Sequence, residues 1–420
     1  MTCEIAIMNR YAIALAADSA VTVTYQSGRE RKERYFKGAN KIFQLSTHHP
    51  VGIMVFGTAS LHEVPWELIV KQYRHHLGTK SFSDLESYAM DLFEYIRAHD
   101  RLFPADYQEK VFRDEAVKVG FVYLMAAQEN EAISKAEDKT AAYAKFLAER
   151  IADVTAMPLY DGFSEEDLNA ALAKHQAAVE SGLKEYVGVF DVEQHVDRAK
   201  LAEAAIRALI NNPTHLMEST GVVIAGFADL DYFPRFVEFS CYGIVLGKFV
   251  RKADEAQGIT REAPAHIKAF AMTDMVNTFQ LGVSPDVYRA AYAEWRKSLR
   301  ALADALTQGP AGAGQVNVDD VIKKVVDEHT KAWFQAAWKA YTTPLLRVVA
   351  SFSIDEMAEL AETLIELESV KERVTKPTES VGGPIDVAVI SKSDGFVWIK
   401  RKHYFDPKLN PRFFQRQEGS

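Results

Sequence analysis

Apolar positions along this chain switch between two periods, and the switches divide it into blocks. Thr2 to Met8 and Tyr11 to Ala17 are short apolar runs joined at Asn9-Arg10, the punctuation of a tight β-hairpin that begins at the second residue. A polar loop rich in Arg, Lys and Glu (Ser27 to Arg34) leads to a second strand pair, Lys41 to Leu45 and Val51 to Phe56, ending at Gly57. Four strands are therefore expected before the first helix. From Val64 the period lengthens: Val64, Leu68, Ile69, Tyr73 and Leu77 share a stripe, and a second stripe follows Ser83, the expected N-cap of the next helix.

Residues from about Pro104 to Asn212 read as further helix rich in Ala, Glu, Lys and Gln, broken near Met157-Pro158 and Gly162, with no internal repeat. Strands return at Gly221 to Asp231 and at Arg235 to Val250, with a turn at Tyr232-Phe233-Pro234. A second helical block runs from Asp274 to about Val374, interrupted by the loop Gln308 to Asp320. The Gly-Ala-Gly of that loop has neither the third glycine nor the preceding strand of a dinucleotide site, so a linker is expected there. Two strands around Ser393-Asp394-Gly395 form a closing hairpin, followed by a basic and aromatic tail. Strands, helices, strands, helices, strands is the order of sheets packed on one another and covered by helices, not of a βαβ parallel sheet.

Composition changes this picture little. The chain has 420 residues, 48% apolar, and a net charge of −9 with no broad basic field, so no nucleic-acid partner is expected. Its two cysteines, Cys3 and Cys241, stand in no metal or disulfide spacing. The pairs His48-His49 and His75-His76 make no ligand set, so neither a metal nor a cofactor is expected. No stretch reaches about 18 apolar residues, and the first twenty residues lack a charged segment followed by an apolar core, so a soluble cytoplasmic protein with no membrane contact is expected.

Three segments carry a resemblance: Ala-Ala-Asp-Ser at Ala16 to Ser19, Asn-Lys-Ile-Phe-Gln-Leu at Asn40 to Leu45, and Gly-Ile-Met-Val-Phe-Gly-Thr-Ala-Ser at Gly52 to Ser60. Together they resemble the β-subunits of the proteasome and their bacterial relatives, the HslV-type and Anbu-type peptidases. The closing Val-Gly-Gly-Pro-Ile-Asp-Val-Ala-Val-Ile-Ser-Lys resembles the last strands of such subunits. The family begins with a threonine nucleophile, carries an aspartate sixteen residues later and a lysine at the start of the third strand, and ends its fourth strand at a glycine amide. Thr2, Asp18, Lys41 and Gly57 match those positions, with Lys41 late because the loop Tyr25 to Gly38 is long.

The resemblance implies an α+β fold: a four-layer αββα Ntn-hydrolase (proteasome-like) sandwich formed by residues 1–103 and 217–404, with a helical insertion at 104–216 and a tail at 405–420. It implies a threonine-type N-terminal nucleophile hydrolase, a peptidase or amidase working through Thr2 after Met1 is removed, and a ring or stacked homo-oligomer. The α-amine of Thr2 would be the base, Lys41 and Asp18 would favour the alkoxide, and Gly57 N–H would be the oxyanion donor. Cys3 is a rival nucleophile only if Thr2 is also trimmed, and strand alternation turns it to the opposite face. The family's serine-bearing turn has no counterpart between Val250 and Asp274, which leaves a second reading open: a catalytically inactive proteasome-like scaffold subunit in which Asp18 and Lys41 are a structural ion pair.

Overall fold

The structure is a computed structural model that describes residues 2–27, 30–307, 317–375 and 382–412. Its strands are β1 (Cys3–Asn9), β2 (Ala12–Ala17), β3 (Ala20–Ser27), β4 (Glu30–Lys37), β5 (Ile42–Gln44), β6 (Val51–Gly57), β7 (Ser60–Leu61), β8 (Val64–Pro65), β9 (Thr220–Gly226), β10 (Arg235–Val245), β11 (Lys248–Gly258), β12 (Ala265–Ala271), β13 (Asp386–Ser391) and β14 (Gly395–Lys400). Between β8 and β9 come α1 (Trp66–Leu77), α2 (Leu85–Ala98), α3 (Ala105–Gln128), α4 (Glu131–Ser134), α5 (Lys139–Ala156), α6 (Glu165–Val189), α7 (Arg198–Asn211) and α8 (Pro213–Leu216). Between β12 and β13 come α9 (Asp274–Leu281), α10 (Pro285–Thr307), α11 (Val318–Ala337), α12 (Thr343–Val349) and α13 (Ile354–Thr375). No helix among the described residues is long and apolar enough to cross a membrane.

The chain is α+β, with two five-stranded antiparallel sheets. One has the order β12-β1-β2-β13-β14 and the other β11-β10-β9-β6-β5. Strand alternation sorts the side chains. From β1 and β2, Ala6, Met8, Ile13, Leu15 and Ala17 enter one cluster with Ile42, Met54, Val223, Ala225 and Phe236 of the second sheet. Their neighbours Cys3, Ile5, Ile7, Ala12, Ala14 and Ala16 point the other way, against Met357, Ala361, Leu364 and Ile365 of α13. The second sheet repeats the device: Val51, Ile53, Val55, Val222 and Ile224 meet α1 and α2 at Trp66, Ile69, Tyr73 and Leu92. Strands buried on both faces have no polar side to alternate with, which is why these segments read as unbroken apolar runs. Alanine on the helix-facing side of β2 keeps α13 close to the sheet.

Helices α3, α5, α6 and α7 gather a cluster of their own around Phe112, Leu147, Leu183 and Leu209, joined by Val245 and Val250 from the β10–β11 turn. Helix α6 opens on a capping box in which Ser164 and Asp167 satisfy one another's backbone N–H groups. Asn9 closes the first hairpin: its Oδ1 accepts from Tyr11 N at 2.9 Å, and its amide donates to Val349 and Phe352 carbonyls.

Several expectations need correcting. The described residues of the charged stretch expected as a loop from Ser27 to Arg34 belong to a ribbon, β3 paired with β4 from Ala20↔Lys37 to Ser27↔Glu30, so more than four strands precede α1. The cap of α2 is Asp84, which accepts from Ser87 N at 2.7 Å, while Ser83 donates to Asp84. The expected strand Arg235 to Val250 is two strands, divided at Leu246 and Gly247, whose φ values of 50° and 76° turn the chain back. Residues Gln308 to Val316, and Phe413 and Phe414 of the tail, lie outside the described residues.

Candidate active site

Thr2 lies at the start of β1, where its carbonyl accepts from Met272 N at 3.1 Å and extends the pairing with β12. It is buried, and its Oγ1 donates to Glu4 Oε2 at 3.2 Å. Two residues apart on one strand, Thr2 and Glu4 share a face, the one turned to the second sheet. Cys3 faces α13 instead, with Sγ 3.7 Å from Met272 O, and burial holds its thiol well above the ordinary range.

Asp18 follows β2 at the same end. Its Oδ1 accepts from Cys3 N at 3.1 Å, and its Oδ2 accepts from Gly382 N at 2.8 Å and Ala20 N at 3.4 Å. Lys41 comes from the second sheet, immediately before β5, held there by Val55 N donating to its carbonyl at 2.8 Å. Its Nζ bonds Asp18 Oδ1 and stands 3.0 Å from Glu4 Oε1. The structure thus brings together Thr2, Asp18 and Lys41, three of the four residues singled out in the sequence.

The electrostatics follow from burial. Burial pushes the Glu4 carboxyl up to about 7; Lys41 pulls it down, while Asp18 adds to the rise. Burial opposes the Lys41 ammonium, but Glu4 and Asp18 outweigh it and hold its pKa above the ordinary lysine value. Lys41 is therefore a fixed positive charge near neutrality and has no lone pair to offer as a base.

Gly57 ends β6 opposite Thr220, with φ 82°, a conformation that favours glycine; an added Cβ would stand 3.1 Å from Ser219 O. It is at the same end of the sheet as Lys41, two residues past Val55, but no hydrogen bond joins it to Thr2, Asp18 or Lys41. Beside it opens a cleft of about 350 Å³ lined by Thr58, Ser60, His62, Tyr107 and Tyr242 among others. His62 Nε2 accepts from Ile244 N at 2.6 Å, and burial lowers its pKa to about 4.

No family model matches the chain, and no curated protein does. Solved structures do. The similarity is to Anbu proteins. An Anbu mutant (Gly-1) from Hyphomicrobium sp. strain MC1 is 9% identical, aligned over 100% of this chain and 96% of its own, with a TM-score of 0.29. The helical assembly of the Anbu complex from Pseudomonas aeruginosa is 10% identical over 99% and 93%, with a TM-score of 0.27. Superpositions this loose carry no weight for the site, which stands on its own distances.

Glu4 is not among the residues that the resemblance points to, although the sequence carries a signal for it: it is the one charged residue in the run Cys3 to Met8, and it has the same parity as Thr2. Between Val250 and Asp274, where the resemblance places the turn beside the site, the structure has β11 and β12. The turn that abuts Asp18 follows α13: Gly382 N donates to Asp18 and Gly382 O accepts from Ser19 N. A buried Asp386, bonded by Lys402 through both its backbone N–H and Nζ, stands next to it opposite Ala17.

Proposed function

We propose that this chain is a threonine-type N-terminal nucleophile hydrolase, a peptidase or amidase, that acts through Thr2 once Met1 has been removed. Met1 lies outside the described residues; a threonine in second place is small enough for routine excision of the initiator. The observation that carries the reading is the buried network at the head of β1, in which the Thr2 hydroxyl, Glu4, Lys41 and Asp18 are in continuous contact.

In this reading the two sheets with their outer helices are the αββα sandwich of the family, and residues 104–216 are an insertion into it. Thr2 Oγ attacks the carbonyl carbon of a peptide or amide and forms an acyl-ester. The sequence resemblance implies the α-amine freed by loss of Met1, with an ordinary pKa of about 7.7–8.0, as the base; the threonine-nucleophile reading itself requires only that some base take the hydroxyl proton. The Lys41 charge favours the developing alkoxide, Asp18 anchors Lys41, and Gly57 N–H is the oxyanion donor, a role worth roughly 10²–10³ in rate at other acyl-transfer sites. A cytoplasmic ring or stacked homo-oligomer completes the proposal, as the sequence resemblance implies.

The burial of Thr2 favours one second reading, an inactive scaffold subunit that keeps the Asp18–Lys41 pair for structure. Intact mass of the native protein, before and after an epoxyketone or β-lactone, separates the two. Loss of Met1 with one adduct, absent in Thr2→Ala, is the outcome for the enzyme. Retained Met1 with no adduct is the outcome for the scaffold.

A further inference from the structure

The Thr2 hydroxyl donates to a carboxylate, and that contact is built into the strand. Glu4 is on β1, a central strand paired on both edges, and Thr2 immediately precedes that strand, tied to the sheet by Met272 N donating to its carbonyl; the alternation puts both side chains on one face, with 3.2 Å between Oγ1 and Oε2. The other ionisable side chains of the network are committed elsewhere. Lys41 is an ammonium without a lone pair. Asp18 spends its oxygens on Lys41 and on the N–H groups of Cys3, Ala20 and Gly382. Glu4, fully buried, touches the hydroxyl with one oxygen and the ammonium with the other.

We propose that Glu4 is the proton acceptor for the Thr2 hydroxyl, a catalytic carboxylate that takes the place of the α-amine as base. This rests on the threonine-nucleophile reading above. In the first half-reaction the Thr2 Oγ–H proton passes to Glu4 Oε2 as Oγ bonds to the substrate carbonyl carbon. The carbonyl π pair moves to oxygen and returns as the C–N bond breaks, and the leaving nitrogen takes the proton from Glu4. In the second half-reaction water gives a proton to Glu4 as its oxygen bonds to the ester carbon, and Thr2 Oγ takes that proton back as it leaves. Lys41 stays charged throughout and keeps its contacts with Glu4 and Asp18.

The groups facing Glu4 are Thr2 on its own strand, Asp18 after β2 and Lys41 before β5. Two carboxylates share one ammonium, and the backbone N–H groups donate to Asp18 while Glu4 faces the hydroxyl; burial raises the Glu4 pKa to about 7, which suits a base at neutral pH.

A β-lactone forms an ester with the hydroxyl and needs no bond to the α-amine, so the rate of the adduct that Thr2→Ala lacks, read by intact mass against pH, reports the base. The wild-type rate should rise through an inflection near pH 7, and Glu4→Gln should be slower by about 10²-fold or more and lose that inflection. Glu4→Gln that labels within a few-fold of wild type with the same inflection overturns the role of Glu4 and leaves the α-amine as base. Wild type that has lost Met1 and takes no adduct overturns the threonine reading, and the Glu4 role with it. Should Glu4→Gln fail to fold, warming the wild type decides: a carboxylate inflection stays in place, whereas one that moves to lower pH is an amine and overturns the proposal.

Discussion

Lys41 Nζ stands 3.0 Å from Glu4 Oε1, an ion pair with both side chains buried. It joins the first sheet to the second, because Glu4 is on β1 and Lys41 leads into β5. Removing the cation would leave Glu4 and Asp18 without their shared ammonium in a low-dielectric site. Lys41→Met should cost about 3–5 kcal/mol in urea unfolding, the usual penalty for breaking a buried pair. Adding Glu4→Gln to that chain should recover part of the loss, and its failure to do so would show that Glu4 is not the stranded charge.

Stability against pH follows from the same carboxyl. Glu4 holds its proton to about pH 7 when folded but releases it near the ordinary 4.5 when unfolded, so the folded state binds more protons between those values. Its contribution is largest below about pH 4.5 and falls away as pH rises to 7, by up to about 3 kcal/mol. Thermal melts of wild type and Glu4→Gln at pH 5 and pH 7.5 isolate it: wild type should lose more stability than the variant over that span.

His62 has the opposite sign. Its folded pKa near 4 lies below the ordinary 6.5, so the folded state binds fewer protons between them. Its contribution is complete above about pH 6.5 and is lost as pH falls towards 4, when Nε2 takes a proton and can no longer accept from Ile244 N. The protection factor of the Ile244 amide, its exchange rate relative to the intrinsic rate at each pH, should fall below pH 6 in wild type. A protection factor unchanged down to pH 4 would show that the bond does not depend on neutral His62.

Gly226 is the end of β9, at φ 135°, where an added Cβ would meet the Pro50 carbonyl oxygen at 2.1 Å. That oxygen accepts from Phe227 N at 2.9 Å and cannot step aside without breaking the bond. Gly226→Ala should therefore lose at least about 2 kcal/mol of unfolding free energy by strain and lost pairing.

Most of the sheet framework was legible because both faces of its strands are buried. Apolar runs such as Tyr11 to Ala17 and Val51 to Phe56, cut by Asn9-Arg10 and Gly57, leave few alternatives to a strand. The ribbon β3–β4 was hidden because charged residues between Ser27 and Arg34 carry no apolar period. Strand β12 is not legible in the sequence because its short alternation, Ala265, Ile267 and Ala269, gains meaning only beside β1, more than 250 residues earlier in the chain. The single strand expected from Arg235 to Val250 hid a turn, because Leu246 adopts a positive φ that its side chain does not advertise.

The sequence by itself determined where polar groups stand at the head of the chain: a hydroxyl at Thr2, a carboxylate at Asp18 and an amine at Lys41, each at the edge of an apolar run. Local pattern suffices there, because strand period and turn residues are properties of neighbours in the chain. Only the tertiary structure decided that Glu4 joins them, that the Gly382 turn closes over Asp18, and which groups keep their protons. Those outcomes depend on distances between segments remote in sequence and on the removal of water around them. A lone glutamate in an apolar strand is an anomaly until the ammonium of Lys41 is seen 3.0 Å away.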